Sequence, residues 1–319
     1  MDVVAYNNYP VWGGQKEPIP AWEIACGLDY MRGIKGQNFW ITEAIMGAQG
    51  HDVIGYLPRP RQAKMWSYQG IAHGCSSLMY FRYRGATKGA EQYCYGIIDQ
   101  DNVKRRKFYE VQSFFKEMKD NEALTQSEVK SDVAVVYDYE SMASFRIQRQ
   151  SFLMDYKQEV YRLYRPFYKK NINMDVIPSD SDFDKYKVLL LPVMIVHKKE
   201  VQDKVRKFVS GGGTVVFTYR TAVKDYYNNL TLGQFNPTYY TDLVGGYVEE
   251  VESFQDDQVA FLIGNEEFEG INGTATVFRD MLKTTTAKTL FKYEDEFFED
   301  LAAVTLNEYE GGKVYYIGS

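Results

Sequence analysis

The chain has 319 residues, of which 45% are hydrophobic and 16% aromatic, enough for two domains with cores of their own. Its net charge of −6 argues against nucleic-acid phosphate binding as a main activity, and no apolar run reaches the ~18 residues of a membrane span. Three cysteines are too few and too scattered for a disulfide framework or a paired-cysteine metal site. No signal-peptide pattern opens the chain, so we expect a cytoplasmic protein with reduced thiols.

The N-terminal part of the chain, to about residue 120, alternates strand and helix signals as βα units do. The predicted strands are 2–7 (DVVAYN), 38–43 (NFWITE) and 76–84 (SSLMYFRYR). One helix is predicted from Pro60 to Gly74, and a second over 102–118 with an apolar stripe of Phe108, Val111, Phe115 and Met118. Because an eight-stranded barrel needs ~250 residues, these strands form either a small open sheet or part of a larger domain.

From Ser131 the pattern restarts with strand signals that are almost continuously apolar. They are DVAVVYD, NMDVIP, YKVLLLP and GGTVVFTY, with a Tyr-rich helix up to about residue 170 and another helix between Lys198 and Ser210. Continuous apolar runs are typical of buried parallel strands, so this part predicts a doubly wound α/β domain. The glycines of SGGG follow a helix and precede a strand, which indicates a helix cap rather than a phosphate loop. After about residue 249 the only clear signal is a turn at Gly311-Gly312 before a last strand.

Polar side chains follow each strand of the first part. Tyr9 and its two preceding asparagines follow the first strand, Glu43 closes the second, and Arg82 and Arg84 follow the third. Carboxyl ends of parallel strands are where α/β folds place active sites; a single polar strand end is often just solvated, but three in succession favour a site. Glu91 lies in the next Gly-rich loop and is either a solvated side chain or a partner for Glu43. Two carboxylates ~5–5.5 Å apart would suit a retaining glycosidase.

Several stretches carry a family resemblance. DVVAYNNYPVW, FWITEAIMG, PRPRQAKMWSYQGIAHGCSSLMYFRYR and GAEQYCYGIID together resemble the later barrel strands of the β-galactosidases of glycoside hydrolase family 42. VVYDYES, YKVLLLPVMIV and FVSGGGTVVFTY resemble the second domain of that family, so the resemblance covers nearly the whole chain. It implies an α/β protein in which residues 1–125 form strands six to eight of a (β/α)8 TIM barrel. Residues 126–319 would form a flavodoxin-like, amidotransferase-like domain that trimerises.

The resemblance also implies roles for individual residues. Glu43 matches the catalytic nucleophile after the seventh barrel strand. Glu91 matches the glutamate of an E-Q-x-H motif that hydrogen-bonds galactose hydroxyls. Tyr9 lies in a substrate-side turn after the sixth strand, next to Asn8, and the resemblance implies that both contact the substrate, together with His51, Cys94 and Arg82.

The resemblance also gives roles to two arginines, and the chain differs from the family pattern at two positions. Arg82 and Arg84 would position the carboxylates. Cys94 stands where the motif usually has His, and the stretch around His51 lacks a Trp that stacks on the sugar in the family, for which His51 or Tyr56 substitutes only in part. The identity of the sugar therefore stays open.

The resemblance implies a retaining hydrolase of terminal β-galactosides that needs no metal or cofactor and has no nucleic-acid or membrane partner. Its general acid/base glutamate is expected upstream of Met1, so we expect this chain alone to be inactive. Two alternatives remain open. The chain is an oligomerisation module with a barrel remnant, or a family member that binds glycans without cleaving them.

Overall fold

The computed structural model describes residues 2–319. The chain forms two compact units, which meet in the sequence between Lys130 and Ser131. Each unit has its own hydrophobic core, so each is described separately.

The first unit is built on a three-stranded parallel sheet with the strand order β1-β2-β3. In chain order its elements are β1 (Ala5–Asn8), α1 (Ala21–Lys35), β2 (Phe39–Ile45), α2 (Gln62–Ala72), β3 (Cys75–Phe81), α3 (Arg106–Asp120) and α4 (Glu122–Gln126). The three predicted strands and both predicted helices are confirmed, although their ends differ by several residues. The core between sheet and helices is formed by Leu28, Phe39, Ile41, Ile45 and Trp66.

Helix α1 was not predicted, because its N-terminal end and its buried face lack the usual signals. Its first residue follows Pro20, which offers no side-chain cap, and its buried face carries an ion pair. Arg32 Nη1 donates to Asp29 Oδ1 over 2.6 Å, and His73 Nδ1 lies 2.7 Å from the same oxygen. The two buried charges neutralise each other in the folded chain. In the sequence, however, these charged residues interrupt the apolar periodicity that identifies a helix.

The apolar stripe predicted for α3 is wrong at one position. Val111, Phe114 and Met118 are buried, whereas Phe115 is 45% exposed. The spacing of three and four residues between these positions is the spacing of one helix face. Phe115 lies beside that face, and its ring packs edge-on against Tyr80 instead.

The second unit is a mixed sheet rather than a purely parallel one. In chain order its elements are β4 (Val133–Tyr137), α5 (Tyr139–Ile147), α6 (Tyr156–Lys169), β5 (Met174–Pro178), β6 (Val188–Leu191), α7 (Lys199–Ser210), β7 (Thr214–Thr218), α8 (Thr241–Val244), β8 (Gly246–Ser253), β9 (Ala260–Gly264), β10 (Asn272–Ala275), β11 (Phe278–Thr284), β12 (Lys288–Tyr293), β13 (Ala302–Tyr309) and β14 (Gly312–Ile317). Strands β5-β4-β6-β7-β14 pair in parallel in that order, as the predicted doubly wound part requires. Antiparallel strands continue the sheet from β14 through β13 and β12 to β9 and β10.

The antiparallel strand β9 escaped prediction because apolar residues occupy both of its faces. In β9, Leu262 is buried while its neighbours Phe261 and Ile263 are about half exposed. A strand with apolar residues on both faces loses the alternation that identifies a half-buried strand. The predicted last turn is confirmed, since Glu310 and Gly311 connect β13 to β14 with positive φ angles of 47° and 94°.

Candidate active site

Three loops of the first unit leave the same edge of its sheet. They follow β1, β2 and β3 and span residues 9–20, 46–61 and 82–105. Because the three strands are parallel, their carboxyl ends lie at one edge, and the loops are neighbours there. The polar residues that the sequence predicted to be functional lie on or near this edge.

Glu43 lies on a β-bulge rather than at a strand tip. On β1, consecutive residues Tyr6 and Asn7 pair with Ile41 and Glu43 of β2, which leaves Thr42 as an extra residue. The pairing of β2 with β3 is irregular over the same stretch. A bulge bends the strand and redirects its side chains, and bulges are common beside active sites. The strand resumes at Ala44, so the predicted end of this strand was wrong while Glu43 remains at the carboxyl edge.

The Glu43 carboxylate is held by Tyr9 from the neighbouring loop. Tyr9 Oη donates a hydrogen bond to Glu43 Oε2 over 2.7 Å. Burial, followed by the hydrogen bond and the negative charge of Glu43, raises the pKa of Tyr9 far above its usual value, so this hydroxyl keeps its proton. Oε1 of Glu43 has no hydrogen bond to any residue within 2–319. One carboxylate oxygen is therefore fixed, and the other is available.

Trp12 belongs to this site, although no pattern in the sequence pointed to it. Its ring packs edge-on against Tyr9, with 4.9 Å between centroids, and against His51, with 5.5 Å between centroids. Trp12 thus connects the loop after β1 with the loop after β2 and forms an aromatic wall beside Glu43. In the sequence, Trp12 is only an indole three residues after Tyr9. Its role becomes visible only through its contact with His51, which is distant in the sequence.

Arg82 and Glu91 form an ion pair on the loop after β3. Arg82 follows a cis peptide bond with Phe81, and its Nη2 donates to Glu91 Oε2. The charge of Glu91 also contributes to raising the pKa of Tyr9, which indicates that Glu91 faces the same edge as Glu43. Arg84 does not join them, because its Nη1 donates to Asn102 Oδ1 over 2.9 Å. The role of Arg84 in positioning the carboxylates stays a prediction.

The loops after β2 and β3 are locked together by backbone contacts. Tyr95 N donates to Ala48 O over 3.0 Å, and Gln49 Nε2 donates to Tyr95 O over 2.9 Å and to Phe81 O over 3.3 Å. A Cβ atom at Gly47 would lie 2.5 Å from Tyr95 O, so only glycine permits this approach. The loop that carries Glu91 is thereby fixed relative to the strand that carries Glu43.

Comparison with protein families assigns the chain. A β-galactosidase model of glycoside hydrolase family 42 matches residues 1–121, and the β-galactosidase trimerisation domain of the same family matches residues 131–319. The chain belongs to glycoside hydrolase family 42.

Individual family 42 relatives match this chain over its whole length, but the match covers only part of each relative. β-Galactosidase BgaA of Clostridium cellulovorans is 32% identical over 100% of this chain and 48% of its own length. β-Galactosidase BgaP of Planococcus sp. strain L4 is 29% identical over 100% of this chain and 47% of its own length. The crystal structure of a β-galactosidase from Bacillus circulans sp. alkalophilus superimposes with a TM-score of 0.93 at 28% identity, covering 100% of this chain and 47% of that one. The chain thus spans about half the length of these relatives.

Two residues that the resemblance to family 42 placed in the sugar site are buried. Cys94 is 0% exposed, and its Sγ donates to Gly50 O at 3.6 Å. Asn8 is 4% exposed, within β1 opposite Ala44. Both side chains are therefore largely hidden from solvent in this chain, and their contact with the substrate stays a prediction. Tyr56, which the sequence offered as a substitute for the missing Trp, packs against the core and under Arg59.

Metal and membrane features are absent from the part of the chain that the structure describes. Within residues 2–319, no three His, Cys, Asp or Glu side chains are grouped so that they could hold a metal ion. No helix in that range has the length and apolarity needed to cross a bilayer. The three cysteines are free thiols, and all three are buried.

Proposed function

We propose that the protein containing this chain is a retaining β-galactosidase in which Glu43 is the nucleophile. The observation that carries this proposal is the hydrogen bond from Tyr9 Oη to Glu43 Oε2 at the carboxyl edge of a parallel sheet. The family 42 relatives are β-galactosidases, which supports the same reaction. The protein acts on terminal β-galactosides of oligosaccharides and needs no cofactor.

Glu43 attacks the sugar from one side of the ring. Tyr9 holds Oε2, so Oε1 forms the bond to the anomeric carbon while the bond to the leaving oxygen breaks. A general acid protonates the leaving oxygen and then, as a base, takes a proton from the water that hydrolyses the glycosyl-enzyme. Two inversions at the anomeric carbon give net retention.

The second carboxylate of this mechanism is not Glu91. Glu91 accepts a hydrogen bond from Arg82, and this geometry suits a group that accepts hydrogen bonds from sugar hydroxyls. The resemblance to family 42 implies that the general acid/base is a glutamate outside these 319 residues, and we expect this chain alone to be inactive. Trp12 and His51 provide the apolar face against which the sugar ring packs.

We further propose how the two units correspond to a whole family 42 protein. Strands β1, β2 and β3 are strands six, seven and eight of a (β/α)8 barrel, which places Glu43 and Arg82 at its catalytic end. The second unit is a flavodoxin-like, amidotransferase-like α/β domain with an antiparallel extension. With buried, free thiols, the protein suits the cytoplasm.

The second unit makes the protein a homotrimer. Its loop over residues 225–236 exposes large apolar side chains, with Leu232 97% and Tyr227 82% exposed, next to Leu230 and Phe235. Apolar groups exposed together are typical of a protein interface, and the trimerisation-domain match supports further copies of this chain as the partner. Light scattering tests this: we expect a trimer for the wild type and a monomer for Leu232→Asp.

Chemical rescue tests the nucleophile in the full-length protein. Glu43→Ala should abolish turnover of nitrophenyl β-galactoside, and azide should restore it by attacking from the vacated side. The product should be α-galactosyl azide, because a single displacement inverts the anomeric carbon. Glu128→Ala, at an exposed position after α4, is the matched control and should keep wild-type activity. Wild-type turnover by Glu43→Ala would refute the assignment.

A further inference from the structure

The second unit contains a cavity that the glycosidase mechanism does not use. It has a volume of about 310 Å³, within the size range of small-ligand pockets, and it lies where β4 ends. Its floor is apolar and aromatic: Phe145 and Met154 are buried, and the rings of Tyr137 and Tyr156 meet edge-on with 5.3 Å between centroids. Such a floor suits the body of a small organic molecule.

The cavity lies at a position in the sheet where other α/β folds bind their ligands. β4 has β5 on one side and β6 on the other, so the strand order reverses at β4. Crossover connections diverge at such a reversal and leave a crevice outside the carboxyl ends of the strands. Tyr137 is the last residue of β4 and reaches the cavity from this edge.

The rim of the cavity is strongly basic. Arg146, Arg149 and Lys157 face a single carboxylate, Asp155, in a chain whose net charge is negative. Asp155 is already engaged as the cap of α6, accepting hydrogen bonds from the backbone N of Lys157 and of Gln158. Arg146 and Arg149 form no ion pair or hydrogen bond with any residue in the range 2–319. Two guanidinium groups thus remain available for an anion.

Charges near the cavity floor converge on one hydroxyl. Burial raises the pKa of Tyr137, the positive charges of Arg146 and Lys157 oppose that rise, and Asp155 and Tyr139 add to it. Both cations therefore lie close enough to act on the Tyr137 hydroxyl. A ligand group that reached this hydroxyl would be within range of both cations.

A second polar cluster at the same edge, formed by Lys198, Asp138 and Glu140, differs because its positive charge is paired. Lys198 Nζ donates to Asp138 Oδ1 over 2.8 Å and also to Glu140 Oε2, so its charge is already neutralised. That cluster stabilises the fold and offers no charge to a ligand. The unpaired arginines distinguish the cavity from it.

We propose that this cavity binds a small organic anion, whose carboxylate or phosphate group pairs with Arg146 and Arg149 while its body packs on Tyr137 and Tyr156. The planar, forked guanidinium suits both groups, because each presents two oxygens for paired hydrogen bonds. This site belongs to the second unit and does not depend on the glycosidase proposal.

Calorimetry on the 319-residue chain at low ionic strength tests the site. The probes are citrate for a carboxylate ligand, glucose 6-phosphate for a phosphate ligand, and glucose as the neutral counterpart. We expect saturable binding of at least one anion with one site per chain. Arg146→Ala/Arg149→Ala should weaken that binding about 10- to 100-fold, since two charge-assisted contacts are lost.

A charge-matched variant separates this site from general attraction between charges. Lys169→Ala/Lys170→Ala removes the same charge at the far end of α6 and should bind the anion as the wild type does. All four residues are partly or fully exposed, so folding should be retained, which circular dichroism checks. The proposal is overturned when neither anion binds, when glucose binds equally well, or when the two double variants lose affinity to the same degree.

Discussion

Tyr9 and Glu43 are 34 residues apart in the sequence, and the Tyr9 hydroxyl donates a 2.7 Å hydrogen bond to Oε2 of Glu43. The bond joins the loop after β1 to the bulge in β2, so it depends on parallel strand pairing and on the extra residue Thr42. Thr42 contributes through its own Oγ1, which donates to Asn7 Oδ1 over 3.0 Å. The orientation of Glu43 is thus fixed by two contacts with the neighbouring strand and its loop.

Removing the Tyr9 hydroxyl should slow the chemical step more than it weakens binding. In the full-length protein we expect Tyr9→Phe to lower kcat for nitrophenyl β-galactoside about 10- to 100-fold, because the nucleophile loses its positioning donor. KM should change little, since the ring remains. Tyr83→Phe is the control, as Tyr83 is 62% exposed next to Arg82. Equal effects of the two variants would exclude a specific role for Tyr9.

The aromatic wall should determine binding rather than turnover. We expect Trp12→Ala to raise KM about tenfold, the loss of roughly 1.4 kcal/mol of stacking energy, and to leave kcat within about threefold. Trp12→Phe should recover most of the affinity. Trp40→Ala removes an exposed indole at the opposite, amino-terminal part of β2 and should leave KM unchanged. Steady-state kinetics on the four proteins would contradict this prediction if Trp12→Ala left KM unchanged.

Gly47 should be needed for the contact between the two loops. Because its Cβ would lie 2.5 Å from Tyr95 O, Gly47→Ala must push the loop that bears Glu91 away from β2. We expect a loss of about 1–3 kcal/mol in the free energy of unfolding, together with a higher KM. Gly27→Ala in α1 meets only Tyr6 Oη at 3.4 Å and should be neutral or stabilise the helix by up to about 1 kcal/mol. Urea denaturation of both variants measures the difference.

The sequence predicted the parallel strands well because burial on both faces makes them continuously apolar, as in VLLL of β6. It also placed Glu43 at the functional edge, since a lone acid after FWIT stands out. The bulge was not predictable, because an extra residue in β2 is defined only by which residues pair on β1.

The features of the candidate site that the sequence did not predict have a common physical cause. The burial of Cys94 depends on the loop after β2, which contributes Gly50 O. Trp12 went unnoticed because its partner His51 is 39 residues away in the sequence, a distance that hydrophobic periodicity cannot cover. Loop-to-loop contacts of this kind follow from the tertiary fold and carry no local signal.

The Asp138–Lys198 pair should make the second unit acid-sensitive. Asp138 is fully buried and accepts hydrogen bonds from Lys198, Ser141 and Ser179. Burial alone would raise the pKa of Asp138, but these donors outweigh it and lower the pKa. A carboxyl group whose pKa is lower in the folded state stabilises the fold above its unfolded pKa of ~3.9, and that contribution is lost as pH falls through the folded value.

Asp138→Asn should therefore reduce the free energy of unfolding by about 3 kcal/mol at neutral pH, because it leaves the Lys198 charge without its buried partner. The difference from the wild type should shrink as pH falls below ~4, where Asp138 itself becomes protonated. Asp132→Asn breaks an exposed pair with Lys187 and should cost less than about 1 kcal/mol at any pH. Denaturant titrations from neutral to acid pH would refute the role of Asp138 if its substitution cost the same at both ends of the range.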